Sequence, residues 1–200
     1  GDTVDRDALD EQEIEKDRVR QLLLRYGVLF RELVANELPA LRWGRLFRTL
    51  RLMELSGEVF AGYFFQGVPG LQFSSREALR ILGNPLPGDA VFWMNACDPA
   101  SLCGIGVDAL RQGLPPRLPT THLVYHDRDL VLISRRNGGE LTFTAGPDHP
   151  RIADYLAFFR ALLGRRFQPL QHVETETING LSALESPYRA ALTDFGFDRG

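Results

Sequence analysis

Lysine is almost missing from this chain. Lys16 is the only one among 23 basic residues, so nearly every fixed positive charge is a guanidinium, planar, always ionised and able to hold a phosphate through two donors. A nucleotide-hydrolysing P-loop needs a lysine behind a glycine-rich turn, and Lys16 stands between Glu15 and Asp17. A motor of that type is therefore excluded from this stretch. Cysteine is as scarce: Cys97 and Cys103 have no second Cys or His pair at zinc spacing near them, which argues against a structural metal and for free, buried thiols. His122, His126 and His172 also lack ligand spacing. Long apolar runs are missing too, and the N-terminus is acidic where a signal peptide would be basic and then apolar. The expectation is a cytoplasmic protein with no membrane partner.

What is present is charge sorted along the chain. The net charge is −3, yet eight carboxylates fall before Arg18, so a basic surface can still exist further on. The length and near-average apolar content suit one or two globular domains with a real core. Residues 1–17 read as an acidic linker that becomes helical, because carboxylates suit the first turns of a helix. A chain opening on such a linker is expected to continue from something larger.

The organising stretch is 18–75. Residues 19–26 are helical and end at Gly27, Val28 suits a short strand, and 30–36 suggests a second helix. The helix expected at 41–56 carries Trp43, Leu46, Phe47, Leu50 and Met53 at helical spacing, which is a core-facing stripe. At 100° per residue, Arg42, Arg45, Arg48 and Thr49 fall on the other side. Residues 58–65 are aromatic and strand-like, 66–70 form a turn, and 71–74 can return beside the first strand. Helix, strand, helix, helix, strand, wing, strand is the order of a winged-helix domain, whose third helix lies in or across a groove of nucleic acid. The alternative use of such a domain is packing against other domains.

Past the wing, Ser74-Ser75-Arg76-Glu77 looks like a capped start for a helix at 77–82, and the Pro- and Gly-rich run 84–88 is the best domain boundary. From Ala90 the period becomes that of strands: 90–96 as a buried strand, then 122–126, 130–135 and 140–145 joined by tight turns, one of them Asn-Gly. A helix is expected at 151–163, a strand at 170–178, a turn at Asn179-Gly180 and a helix at 187–194. The fold class is thus α+β: an acidic start at 1–17, a winged helix at 18–86, a small β-barrel or antiparallel sheet at 87–148, and an α/β end piece at 149–200. The loop 97–119, long and rich in Gly and Pro, is a place for function.

The runs RYGVLFRELVANE, WGRLFRTLRLMELSGEVFAGYFFQGVPGLQFSSREA, CDPASLCGI and ETETINGLSALESPYRAALTDFGF, in that order, resemble the C-terminal end of the Lhr (large helicase-related) superfamily 2 DNA helicases. Leu71 stands where that pattern carries Glu, and the DPAN-like loop reads Asp98-Pro99-Ala100-Ser101. The resemblance implies an ATP-dependent motor, with ATP and magnesium, upstream in the same polypeptide, and no cofactor in this segment. It also implies winged helices and a small barrel similar to AlkZ-type DNA glycosylases, some long members being credited with uracil-DNA glycosylase activity in DNA repair.

Three roles are weighed. In the first, Arg42, Arg45 and Arg48 neutralise phosphates with Thr49 beside them, while Tyr63 or Phe65 stacks on unpaired bases of single-stranded or forked DNA. The second is a glycosylase using Asp98 as base or charge stabiliser beside a flipped nucleotide, against which Asp98-Pro99 simply starts a capped turn. The third is homo-oligomerisation or domain packing.

Overall fold

The computed structural model describes the backbone of residues 2–84, 88–111 and 113–198, and side chains from Leu9 onward. Most of the run 84–88 read as a boundary thus lies outside the described residues. The chain divides into two compact units, Gly1–Pro85 with Leu102–Leu114, and Leu86–Ser101 with Pro115–Gly200.

In the first unit the acidic leader is helical, as its carboxylates suggest. It is the front half of one helix, α1 (Asp2–Tyr26), which Gly27 ends at φ 72°. Val19, Leu22 and Leu23 sit one helical turn apart and are buried, so the back half anchors a front half that has few apolar side chains. β1 (Val28–Leu29) follows. The helix expected at 30–36 does not form: those residues make turns closed by i→i+3 bonds, Ala35 N to Glu32 O at 3.4 Å and Glu37 N to Val34 O at 3.2 Å. Phe30, Leu33 and Val34 do bury as their spacing requires. Seven residues give too few i→i+4 bonds to offset helix nucleation, and Pro39 starts a separate 3-10 turn, Pro39–Leu41. α2 (Trp43–Leu55), β2 (Val59–Gly62) and β3 (Gln72–Ser75) complete the winged helix.

β3 lies between β1 and β2 and is antiparallel to both, with Leu29 opposite Phe73 and Ala61 opposite the same residue. Trp43, Phe47 and Phe73 meet with ring centroids 5.6–5.9 Å apart, fixing α2 on the sheet. α3 (Arg76–Leu82) starts as its sequence suggests, Ser75 Oγ accepting from Ala78 N at 3.1 Å. The unit's core also takes in Ile105 and Val107, just before α4 (Asp108–Arg111).

The second unit holds a six-stranded sheet in the order β4 (Val91–Asn95), β5 (His122–His126), β6 (Asp129–Arg135), β7 (Glu140–Phe143), β8 (Thr177–Ile178), β9 (Leu181–Ser182). It is antiparallel except between β7 and β8, and it is open where a closed barrel was one expectation. β4 is an edge strand, so the segment read as fully buried leaves Phe92 and Trp93 about two-fifths exposed. The expected strand at 170–178 forms only at its last two residues.

Three helices, α5 (Ile152–Leu156), α6 (Phe158–Gly164) and α7 (Arg189–Phe195), share a core with one sheet face. α5 and α6 were expected as one helix. On either side of the turn at Ala157, Tyr155, Leu156, Phe158, Phe159 and Leu162 are all buried. α7 begins two residues later than its proline suggested, and Gly196 ends it in the left-handed region, the geometry that favours glycine.

Candidate nucleic-acid interface

α2 sorts its side chains by period. Leu46, Leu50 and Met53 are fully buried, while Arg42, Arg45 and Arg48 are exposed. Arg42 is the residue before the first helical turn, with extended backbone. Arg51, the next cation along, is neutralised by Glu54 one turn on. Among the described residues the side chains of Arg42, Arg45 and Arg48 make no hydrogen bond and no ion pair, so three permanent charges remain available to an outside anion.

Thr49 is a correction. The helical wheel set it with the arginines, yet it is buried at 7 % exposure, because α1 packs along that flank of α2. The two helices leave between them a groove of about 850 Å³, lined by Glu11, Glu15 and Arg18 on one side and Arg45, Arg48 and Thr49 on the other. Glu15 Oε1 is held by Arg18 at 2.5 Å. Its Oε2 is out of water and has no donor among the described residues. On the far side of α1, Arg20 binds Glu58 at 2.5 Å, tying the helix to the start of β2.

The wing is closed by Gln72, a residue that sequence patterning did not mark. It is fully buried; its Oε1 accepts from Phe64 N at 3.0 Å and Phe65 N at 2.9 Å, and its Nε2 donates to Phe65 O at 3.0 Å. One side-chain amide thus replaces the ladder partners lost where the strand ends. That clamp leaves Tyr63 79 % and Phe65 42 % exposed, just past the end of β2, while Phe73 on β3 is buried. Gly67, at φ 79°, is needed twice over: a Cβ there would come within 2.9 Å of Ala109 Cβ on α4.

Asp98 sits apart, in the second unit. Its Oδ1 accepts from Ala100 N at 2.8 Å and its carbonyl from Ser101 N at 2.9 Å, closing a turn. No helix follows. Arg117 fastens this turn by donating to the carbonyls of Cys97, Asp98 and Ser101. Cys97 is exposed and only Cys103 is buried, a correction to the expectation of two buried thiols.

A polar cluster that sequence spacing could not reveal joins three elements of this unit. Asp89 Oδ1 lies 3.0 Å from His126 Nε2, and His126 Nδ1 lies 2.6 Å from Tyr155 Oη. His149 Nδ1 is 3.1 Å from the same hydroxyl, and Arg151 pairs with both Asp89 and Asp154. Burial pushes the Tyr155 hydroxyl above its ordinary range, with Arg151 opposing, so the phenol stays protonated and can donate to an imidazole.

With this geometry in hand, the family profile described as the winged-helix domain of the large helicase-related protein matches residues 8–91. Residues 8–91 are an Lhr winged-helix domain. The match supports the resemblance of the chain to the C-terminal region of an Lhr protein, and it makes the domain helicase-related. No curated protein matches the chain. The Lhr winged helix begins within α1, so the acidic helix is part of the domain. Among the described residues no helix is long and apolar enough to cross a membrane.

Proposed function

We propose that this chain is a nucleic-acid-handling module of an Lhr-like DNA helicase, acting in DNA repair, with the ATP- and magnesium-dependent motor in the upstream domains of the same polypeptide. The module grips single-stranded or forked DNA through Arg42, Arg45 and Arg48, and Tyr63 and Phe65 stack on unpaired bases. The observation that carries this reading is the three exposed guanidinium groups at the start of and along α2 with no partner among the described residues. Their affinity is electrostatic and falls with salt, because each phosphate contact releases counterions. Exposed aromatics on a wing add stacking that tolerates any base.

The test is binding of a fluorescent single strand across a salt series. Arg45→Glu combined with Arg48→Glu is expected to lower affinity at least tenfold and to make the salt slope shallower by about 0.7 per lost contact, with the thermal midpoint unchanged. Equal binding by the double variant would remove the assignment of α2. The enzymatic alternative, Asp98 as the base of a glycosylase, has less behind it, since Asp98 Oδ1 is engaged in its own turn. Abasic-site formation on uracil-containing DNA that is lost in Asp98→Ala would revive it.

A further inference from the structure

The second unit leaves one side of its sheet open, because β4 bonds only to β5. Asp127 N donates to Ala90 O at 2.7 Å and Ala96 N to Thr121 O at 2.8 Å. In the unbroken register of this pair, the residues that alternate with those two turn away from β5, so Val91 and Trp93 aim their N–H and C=O groups outward. None of these groups has a partner among the described residues. The next outward carbonyl, that of Asn95, is taken by Asp98 N at 2.9 Å, and there the open stretch ends. Sheet edges are ordinarily blunted by lysine, proline, an inward charge or a bulge, and the run 91–95 has none of them.

Beside this edge is a place for a side chain. A cavity of about 280 Å³ lies between β4 and the α5–α6 corner, lined by Val91, Trp93 and Val124 from the sheet and by Ala157 and Phe158 from the helices. Ala157 is exposed and Trp93 about two-fifths so, and a guest can therefore enter from solvent. Arg151 and Asp154 complete the lining. Asp89, Asp127 and Asp154 all act on the neighbouring Tyr155 against the single guanidinium of Arg151, so the carboxylates outnumber the fixed cation at this end. An extended peptide answers each feature: its backbone offers donors and acceptors at strand spacing, and its alternate side chains reach one face. A nucleic-acid strand has no backbone amide to offer and would bring phosphates against those carboxylates.

We propose that β4 receives an added strand from a protein partner, an extended peptide that pairs with Val91 and Trp93, fills the cavity with an apolar side chain, and sets a basic side chain against Asp154. Every residue involved lies in the second unit, so the inference stands apart from the grip of α2 on DNA. Random peptides about eight residues long, displayed on phage, are selected against the 200-residue chain, and those enriched are synthesised with a fluorophore. They are expected to carry an aliphatic or aromatic residue with arginine or lysine on the same face. Val91→Pro removes an outward N–H that β5 does not use, and Ala157→Met fills the cavity from an exposed position. Each should weaken binding about tenfold, the size of one hydrogen bond or one buried side chain lost, with the thermal midpoint unchanged; should Val91→Pro not fold, Ala157→Met decides. Asp154→Asn should weaken only the peptides that carry the basic residue. Peptides that bind Val91→Pro and Ala157→Met as tightly as the natural chain overturn the inference, as does a selection that enriches nothing over the bare support. Two further results also overturn it: a thymidine oligomer whose binding these variants weaken, which gives the groove to nucleic acid, and a dimer of the natural chain that Val91→Pro dissolves, which gives the edge to a second copy.

Discussion

His122 shows how much one buried side chain can set. It is 4 % exposed, with the Trp93 and Phe158 rings 6.0 and 5.8 Å from its own. Asn95 Nδ2 donates to its Nε2 at 3.1 Å, so the ring proton belongs on Nδ1, which has no partner among the described residues. Burial first, and the Arg165 charge second, push its pKa down to about 4. The folded chain therefore refuses a proton that the unfolded chain accepts near pH 6.5. Stability from this residue is complete above that value and is lost as pH falls from about 6.5 to about 4, by up to about 3 kcal/mol. His122→Phe keeps the ring and removes the titration. Urea midpoints at the two ends of that window should differ for the natural chain and move much less for the variant; equal shifts would mean other groups govern acid sensitivity. The candidate site divides in the same way at this scale. The exposure of Arg45, Arg48 and Tyr63 follows from spacing, whereas the burial of Thr49 depends on a helix more than twenty residues away in the chain.

At the scale of elements, the wing depends on Gln72. Gln72→Leu keeps the volume and strands the amides of Phe64 and Phe65 and the carbonyl of Phe65, partners it serves at 2.9–3.0 Å. The expected cost is about 2–3 kcal/mol. Denaturant unfolding measures it, and amide exchange at Phe64 and Phe65 should speed up; slow exchange in the variant would show that the wing closes without the clamp. Elements with a strong local period were legible: α2, β5, β6 and the Ser75-capped α3 all occur within a residue or two of where the pattern set them. Residues 30–36 have the same helical spacing but not the length for a ladder of i→i+4 bonds. β4 is an apolar run of the kind that suits a buried strand, yet its edge position leaves Phe92 and Trp93 part-exposed. Gly138 marks a third limit. It is read as turn chemistry, but a Cβ there would also meet Val173 at 2.4 Å and Phe159 at 2.8 Å, a packing constraint from residues outside the turn.

At the scale of the molecule, the Lhr winged helix is not closed by its own contiguous stretch. Ile105 and Val107, 5 % and 1 % exposed, lie in its core, and α4 supports the wing at Gly67. A chain truncated after Asn84 loses all three contacts. Burial of the two side chains is worth about 3–6 kcal/mol together. The truncated domain should unfold at a clearly lower temperature than residues 1–84 do within the full chain, and should bind an apolar dye before melting. An unchanged midpoint would show that 102–114 only lies against a finished core.

The sequence by itself determined the strands and the central helix of the winged-helix domain, the greasy and cationic sides of α2 and the α+β class. Each follows from a period of 3.6 or 2 residues, which side-chain order alone can express. Tertiary structure decided which flank of α2 would be covered, which strand would be an edge, that the sheet stays open, and that an acidic helix would face the arginines across a groove. Those are contacts between segments far apart in the chain, and spacing along one segment says nothing of the partner that packs against it.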